Sequence, residues 1–274
     1  MVGEVDQAHL GKAPAPVARF EHYLERLQAY LSGADVPFDP DDPWASGIRP
    51  ADDLRLAGAP TSSRLRWLDG RQTKVPVDAA ATGPQVIAAA ARHAEAITFA
   101  VGVDPERLRW AIATARGAAA DAGRDPASVQ LGTYVPVCVH PDVDAARRLI
   151  SGGVASYARF SVMHGSVAGP ANADRRSTLE AIHGAYDMDA HFRHGSPQSQ
   201  FLTDDVIDAF GIVGRAEHCL EQLQGLVELG LTRLFIMGGG IGIDRDEAAA
   251  AERRFVDAVL PHLQGAHAPA WQGS

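Results

Sequence analysis

The chain has 274 residues, of which 46% are hydrophobic and 22% charged, with a formal net charge of -9 at pH 7. This composition is typical of a globular protein and argues against a general nucleic-acid surface, which would be basic. No stretch reaches the roughly 20 apolar residues that cross a bilayer, and the N-terminus lacks the pattern of a signal peptide. Two cysteines are too few for a disulfide framework. We therefore expect a cytoplasmic protein with no nucleic-acid and no membrane partner.

The N-terminal quarter of the chain predicts one helix followed by a long irregular segment. Apolar residues recur at helical spacing in PVARFEHYLERLQAYLSG, where Pro16 suits the first turn and Gly33 suits the C-terminal stop. Periodicity is then lost from Ala34 to about Thr73, and several prolines interrupt this stretch. A loop of this length inside a domain is unusual, so we interpret residues 34–73 as a loop insertion.

From Lys74 onward, predicted strands and helices alternate. The strands are KVPVDAAA, AITFAVG, SVQLGTYVPVCV and TRLFIMGGG, and helical patterns follow them. A polar stretch without clean periodicity, residues 160–202, is a second predicted loop insertion. This order predicts parallel strands with right-handed crossovers, and a closed barrel would need eight of them. The fold class is therefore α/β, and we treat residues 1–274 as one domain.

The turn after the first of these strands, in DAAATGPQVIAAAARHAE, has the features of a phosphate site. Pro84 suits the first helical position, which makes Gly83 or Thr82 the cap residue. Small residues let an anion approach the free N–H groups at a helix start. Ala80, Ala81, Thr82 and Gly83 are the predicted contacts, and a plain turn that only starts a helix is the alternative. The glycine run 238–242 is a second candidate, although a flexible loop explains its spacing better.

Other polar residues support weaker hypotheses. His191 and His194 form an H-x-x-H pair without a third ligand at a known spacing, so no metal site is predicted. Tyr157, Arg159 and His164 are candidates for a lid over an active site, and packing of a surface loop is an equal alternative. Cys138 and Cys219 lie in apolar patterns, which indicates buried, reduced thiols. The pattern identifies no catalytic residue.

Several segments resemble the bacterial-luciferase-like family of flavin- and deazaflavin-dependent oxidoreductases. VDAAATGPQVIAAAARHAEAITFAVG is similar to the family pattern AAxGPxxLxxAxxxADG, and the AGRDP corner continues the likeness. DAFGIVGRAEHCLEQLQGLVELGLTRLFI resembles the C-terminal VGTPEEV segment, and VGEVDQAHLGKAPAP resembles the GxGDSAxxxLGxxPxP turn. The resemblance omits residues 34–72 and 160–200. It also departs from the family at Ala94-Glu95-Ala96, where the family has ADG.

The resemblance implies a luciferase-like TIM barrel and a flavin-type cofactor. Members similar to methylenetetrahydromethanopterin reductase are the nearest in pattern, which implies coenzyme F420, a deazaflavin, or FMN. The family uses the turn that matches Ala80, Ala81, Thr82 and Gly83 to hold the cofactor phosphate. It also places roughly 100 residues, including the first strands, before the segment that matches Met1. We therefore expect this chain to supply only part of the barrel and to bind cofactor weakly.

Three functions follow from these observations. The first is an oxidoreductase that transfers hydride or activates oxygen on a small-molecule substrate. The second is a non-catalytic partner subunit of a luciferase-like enzyme, and the third is an unrelated phosphate-binding barrel enzyme. Parallel strands with open sheet edges are templates for pairing, so we expect a homo-oligomer.

Overall fold

A parallel β-sheet organises the structure, a computed structural model that describes residues 9–39, 49, 51–68, 70 and 72–264. The sheet strands are β3 (Asp78–Ala81), β4 (Ala96–Phe99), β5 (Gln130–Val139), β6 (Ile212–Gly214) and β7 (Arg233–Met237). β3 pairs with β4, β4 with β5, and β5 with both β6 and β7, always in parallel. The sheet is open in the part of the chain that is described. A separate antiparallel pair joins β1 (Val36–Pro37) to β2 (Ser62–Ser63).

Helices connect the strands, and the two whose starts are predicted at Pro16 and Pro84 begin within one residue of those positions. They are α1 (Val17–Leu31), α2 (Pro84–His93), α3 (Pro105–Asp121), α4 (Val143–Phe160), α5 (Ala173–Gly184), α6 (Asp204–Phe210), α7 (Ala216–Glu228), α8 (Arg245–Ala258) and α9 (Leu260–Gln264). Gly83 is the cap residue of α2 and Pro84 its first residue. Asp104 caps α3 by accepting hydrogen bonds from the amides of Glu106 and Arg107. The four predicted strands of the α/β sheet are confirmed as neighbours.

Three details differ from the sequence prediction. β6 was not predicted as a strand, because three residues give no readable alternation. Residues 160–202, predicted as a loop insertion, contain α5 and short 3₁₀ turns. The sequence gives little apolar periodicity for α5, because its buried residues are Leu179 and Ile182. The last helix is two helices, since Pro261 has no amide hydrogen to continue the first one. Within 34–73, residues 40–48 lie outside the described part.

Successive side chains along each strand point to opposite faces of the sheet, and two hydrophobic clusters cover these faces. The outer cluster lies between the sheet and α2, α3 and α7, and includes Ile87, Ile97, Phe99, Leu108, Leu131 and Leu223. The inner cluster lies between the sheet and α4, α5 and α6, and includes Ile150, Val154, Tyr157, Leu179 and Phe210. We call the sheet face opposite the outer cluster the inner face, and it carries Asp78, Ala80, Thr98, Tyr134, Arg233 and Phe235. Helix α4 therefore covers part of the face that would line the interior of a closed barrel.

Two carboxylates attach α1 to the sheet domain. Glu21 accepts two hydrogen bonds from Arg92, at 2.6 and 2.8 Å, and lies 3.1 Å from His93. Glu95 accepts from Gln28 (3.0 Å), from Lys74 (2.8 Å) and from the amide of Val77 (2.8 Å). The hydrogen bond from Arg92 is the main reason that the pKa of Glu21 falls to about 2.

The lowered pKa of Glu21 predicts acid sensitivity of the α1 attachment. A carboxyl whose folded pKa lies below its unfolded value of about 4.3 stabilises the fold above that value and loses this contribution as pH falls toward 2. We expect Glu21→Gln to lower the free energy of unfolding at pH 7 by about 1 kcal/mol, because the pair is partly exposed. Thermal unfolding of both proteins should show this difference shrinking between pH 5 and pH 2.5. Glu25→Gln, an exposed change on the same helix, is the control, and a difference that stays constant with pH would contradict the assignment.

The open sheet bears on the predicted homo-oligomer. β3 and β7 each have one neighbouring strand in the described residues, so each presents a free edge. The inner face is partly polar, since Asp78 and Arg233 lie on it. We predict that size exclusion with light scattering will give a mass of at least twice 29.0 kDa. A sharp monomer peak with a cooperative melt would show that the free edges do not need a partner.

None of the helices in the described residues is long and apolar enough to span a membrane.

Candidate functional site

The turn between β3 and α2 leads into a helix whose first amide groups are not capped by a side chain of the described residues. No side chain caps α2 within the described residues, and its first internal hydrogen bond runs from Ile87 to the Gly83 carbonyl at 2.9 Å. The amides of Gln85 and Val86 lie before Ile87 in the chain, and in the first turn of a helix such N–H groups have no acceptor within the helix. The helix dipole adds positive potential at the same point. A helix start of this kind can bind an anion.

Gly83 has no structural reason to be glycine. Its backbone angles, φ -81° and ψ 155°, are available to any residue. A Cβ built on it would have no heavy atom within 4 Å among the described residues. By contrast, a Cβ on Gly132 would lie 2.6 Å from the carbonyl oxygen of Arg233, so the packing of the fold requires that glycine. The space beside Gly83 is therefore free for a ligand.

The four predicted phosphate contacts have different orientations. The Ala81 side chain is 2% exposed and belongs to the outer cluster, so only its backbone can reach a ligand. Ala80 lies on the inner face and is half-buried. Thr82 and Gly83 are half-buried where the strand ends. The turn thus offers the backbone of all four residues and the hydroxyl of Thr82.

An aromatic row on the inner face lies level with this turn. The strand registers pair Ala80 with Thr98 and Thr98 with Gly132, so these three residues lie at one level of the sheet. Two residues further along each strand, Tyr134 lies at the level of Thr82. Tyr134 is two strands away from Thr82, a separation of about 10 Å. Its register partner on β7 is Phe235, with ring centroids 5.4 Å apart, and Tyr157 of α4 stacks on its ring at 5.4 Å.

A charged group lies on the inner face below this row, toward the amino ends of the strands. Asp78 accepts hydrogen bonds from the Thr98 hydroxyl at 2.8 and 3.0 Å, and Arg233 Nη2 lies 2.9 Å from Asp78 Oδ2. Asp78 and Arg233 belong to strands that are three positions apart, about 14 Å along a flat sheet. Their side chains therefore reach toward each other across β4 and β5. Sequence analysis missed these residues, and the only available signal was a charge at alternate strand positions.

The glycine run 238–242 serves internal packing. A Cβ on Gly240 would lie 2.6 Å from the carbonyl oxygen of Phe192, and one on Gly239 would lie 2.2 Å from Ile243. The amide of Ile241 donates to Phe192 (3.0 Å), and the amide of Gly240 donates to Leu149 (3.3 Å). These amides are already engaged, which favours the packing interpretation over a phosphate cradle.

The two histidines of the H-x-x-H pair make separate hydrogen bonds. His191 Nδ1 bonds the hydroxyl of Tyr186, and His194 Nδ1 lies 2.8 Å from the Ser151 hydroxyl. Ser151 and His194 line a cavity of about 440 Å³ between α4, α6 and the second insertion. No group of three or more His, Cys, Asp or Glu residues in the described ranges could hold a metal ion.

The three candidate lid residues do not come together. Tyr157 and Arg159 are each 7% exposed, and the guanidinium of Arg159 lies 4.4 Å from the ring centroid of Tyr186. His164 is exposed in the turn after α4. Both cysteines are buried, and burial raises the pKa of Cys138 to about 11 and that of Cys219 to about 12. Neither thiol is therefore a reactive nucleophile.

Comparison with known proteins gives the family. Residues 2–233 match the sequence model of the luciferase-like monooxygenases. This match covers most of the chain, and the chain belongs to that family. The resemblance read from the sequence motifs is confirmed, which leaves an unrelated phosphate-binding barrel without support.

Two curated relatives illustrate the similarity. The chain is 26% identical over 238 residues to the 5,10-methylenetetrahydromethanopterin reductase of Methanolobus tindarius, a match that covers 85% of this chain and 64% of the relative. It is 24% identical over 260 residues to a phthiodiolone/phenolphthiodiolone dimycocerosates ketoreductase of Mycobacterium tuberculosis, covering 91% and 61%. The chain thus spans less than two thirds of the length of these relatives.

Solved structures share the fold. A coenzyme F420 dependent tetrahydromethanopterin reductase from Methanopyrus kandleri matches with a TM-score of 0.59 at 19% identity, over 92% of this chain and 65% of that one. An EDTA monooxygenase from Chelativorans sp. BNC1 matches with a TM-score of 0.55 at 17% identity, over 96% and 64%. The predicted luciferase-like barrel class is confirmed, and the described residues contribute the five parallel strands β3 to β7.

Proposed function

We propose that this chain binds a phosphate-bearing flavin or deazaflavin and belongs to an oxidoreductase acting on a small molecule. The observation that carries the proposal is the start of α2, where, in the described part of the chain, Gly83 leaves open space beside a helix that no side chain caps. The cofactor phosphate would accept hydrogen bonds from the turn Ala80–Gly83 and from the first amides of α2. Phosphate is the group that such a site holds best, since it is anionic and has several acceptor oxygens.

The inner face offers the place for the cofactor ring. From the phosphate turn, the row of Tyr134 and Phe235 lies about 10 to 15 Å away on the same side of the sheet. Helix α4 covers this row through Tyr157 and would shield the ring from water. When bound, the cofactor supplies hydride transfer or oxygen activation. The chain's own residues orient it and exclude solvent.

The relatives support coenzyme F420 or FMN as the cofactor. One solved relative is described as dependent on coenzyme F420, and another is a monooxygenase. The Ala80–Gly83 turn recognises only the phosphate, which both cofactors carry. We favour the reductase reaction with coenzyme F420, because the two curated relatives described above are reductases.

A phosphate-dependence measurement tests the proposal on the chain as it stands. FMN and riboflavin share one ring system and differ in the phosphate, and coenzyme F420 can be compared with its phosphate-free deazaflavin in the same way. We expect the phosphate-bearing member of a pair to bind at least about ten-fold more tightly, as hydrogen bonds to a charged group allow. Absolute affinity can be weak, and fluorescence titration still gives the ratio. Equal affinities within both pairs would refute the phosphate site.

A further inference from the structure

The cavity of about 440 Å³ between α4, α6 and the second insertion is separate from the proposed cofactor site, since none of its lining residues belongs to the phosphate turn or to the inner face. A volume of this size holds a small organic molecule. Leu202 and Ile207 form its apolar part, and the polar lining includes Ser151 of α4, His194 of the insertion and Asp204 of α6. The chemistry of this lining indicates which class of molecule fits.

His194 is held in one orientation and one tautomer. Its backbone amide donates to the carbonyl of Ile241 at 2.8 Å, and its ring Nδ1 lies 2.8 Å from the hydroxyl oxygen of Ser151, a residue that is 8% exposed. The Ser151 hydroxyl donates its single proton to the carbonyl of Arg148 at 2.9 Å, so it accepts from His194 and Nδ1 carries the hydrogen. In the neutral imidazole, Nε2 therefore has the lone pair.

The Nε2 atom of His194 is an acceptor that faces open space. The Nδ1 bond is the only hydrogen bond of this ring among the described residues, and Nε2 is not one of the fully covered polar atoms that lack a partner. The Ser199 hydroxyl lines the same cavity and donates to the carbonyl of Ser196 at 2.8 Å, so its remaining capacity is also that of an acceptor. Both groups require a ligand that donates hydrogen bonds.

The charges beside the cavity favour a cation. Arg147 Nη1 lies 2.9 Å from Asp204 and 3.5 Å from Asp144, and its Nη2 lies 2.7 Å from Asp208. One guanidinium is thus shared by three carboxylates, and two of them, those of Asp144 and Asp204, line the cavity.

Arg148, the second arginine of the lining, has a carboxylate of its own nearby. A hydrogen bond from the amide of Ala145 is the main reason that the pKa of Asp142 is lowered, and the charge of Arg148 also lowers it. Two arginines therefore face four carboxylates, and the surroundings of the cavity are negative. The start of α2 has positive potential, so a cation distinguishes this cavity from the phosphate turn.

We propose that the cavity binds a primary amine as its ammonium ion, with the apolar part of the amine against Leu202 and Ile207. An ammonium group carries a positive charge and three donors and no acceptor. It is the complement of a lining that offers the lone pair of His194, the hydroxyl oxygen of Ser199 and the carboxylate of Asp204. This site goes beyond the proposed function and does not depend on the cofactor.

Benzylamine and benzyl alcohol test the proposal on the wild-type chain. They share one ring, and the terminal group at neutral pH is an ammonium in the amine and a hydroxyl in the alcohol. We expect benzylamine to bind at least about five-fold more tightly in calorimetric titrations at fixed ionic strength, because hydrogen bonds between charged groups exceed neutral ones. Asp204→Asn should bring this ratio close to one. Asp205→Asn is the matched control, since it removes the same charge from a carboxylate that is paired with Arg175 and lies outside the lining.

His194→Asn separates the imidazole lone pair from the hydrogen bond to Ser151. The asparagine amide can donate to Ser151 as Nδ1–H does, and its side chain is too short to place an acceptor where Nε2 lies. We expect the ratio of benzylamine to benzyl alcohol affinity to fall several-fold while the thermal unfolding temperature stays nearly unchanged. A ratio that this variant preserves would overturn the role of His194 in the site.

The remaining outcomes either support or overturn the amine site. A wild-type ratio near one overturns it. An equal loss in Asp204→Asn and Asp205→Asn also overturns it, because the ammonium would then respond to the general negative charge of the chain. The wild-type ratio needs no variant, so a variant that fails to fold does not remove the test. Gly83→Leu should leave the affinity for benzylamine unchanged, which keeps this result independent of the phosphate site.

Discussion

Replacing Gly83 with leucine should remove the preference for phosphate-bearing cofactor while leaving the fold intact. The new side chain would occupy the space through which the anion reaches the first amides of α2. The backbone would tolerate it, because φ is -81° and no described residue other than the two chain neighbours has a heavy atom within 4 Å of the added Cβ. We expect the affinity ratio of FMN to riboflavin, measured by fluorescence titration, to fall from at least about ten to about one. Thermal unfolding should be nearly unchanged.

Gly117→Leu supplies the matched control for this variant. Gly117 lies on α3 and is exposed, and an added Cβ there would likewise meet no other part of the described structure within 4 Å. Both variants therefore add the same side chain to an open position, and only one of them lies at the phosphate turn. If the Gly83→Leu protein keeps the wild-type affinity ratio of FMN to riboflavin, and this ratio is above one, the phosphate is held at another place in the protein.

The start of α2 could be predicted because its signal is local, and the phosphate role of this turn stays a prediction. Gly83 and Pro84 mark a helix start that needs no knowledge of distant residues. Helix and strand periodicity likewise located the four main strands, whose apolar residues face the outer cluster. Features that depend on nearest neighbours along the chain can be read from the sequence alone.

The tyrosine pair could not be predicted in this way. Tyr134 and Tyr157 meet because α4 crosses the inner face, and no pattern in the sequence states where a helix crosses a sheet. The Asp78–Arg233 contact joins the first and the fourth of these strands, which lie more than 150 residues apart in the chain. Packing also decided against a phosphate role for the glycine run, since the glycines at 239 and 240 fit against Ile243 and Phe192 and not around an anion. Each of these contacts depends on how residues distant in the sequence pack together.

Arg107, on helix α3, is a further residue whose contacts could not be predicted from the sequence. It lies on the buried stripe of α3 with Ala111 and Ala115, four and eight residues further on, and it is 1% exposed. A charged residue on an apolar stripe was a readable signal, but its partners are distant in sequence. Its guanidinium donates to the carbonyls of Val101 (2.9 Å), Pro170 (2.7 Å) and Ala168 (3.1 Å) and to the hydroxyl of Ser161 (2.8 Å). Burial lowers its pKa to about 10, so it remains charged at neutral pH.

These contacts make Arg107→Met the most destabilising single change that we predict. Methionine fills part of the volume and donates no hydrogen bond, so three carbonyls and one hydroxyl lose their donor in a buried region. We expect the free energy of unfolding to fall by about 3 kcal/mol or more. Chemical denaturation measures this loss, and limited proteolysis should show earlier cleavage near residues 161–172, where three of the four acceptors lie. Arg109→Met, an exposed change on the same helix, should have little effect. Equal midpoints for the two variants would mean that solvent satisfies these acceptors, and that the second insertion is held on α3 by the ion pair of Arg175 with Asp104 instead.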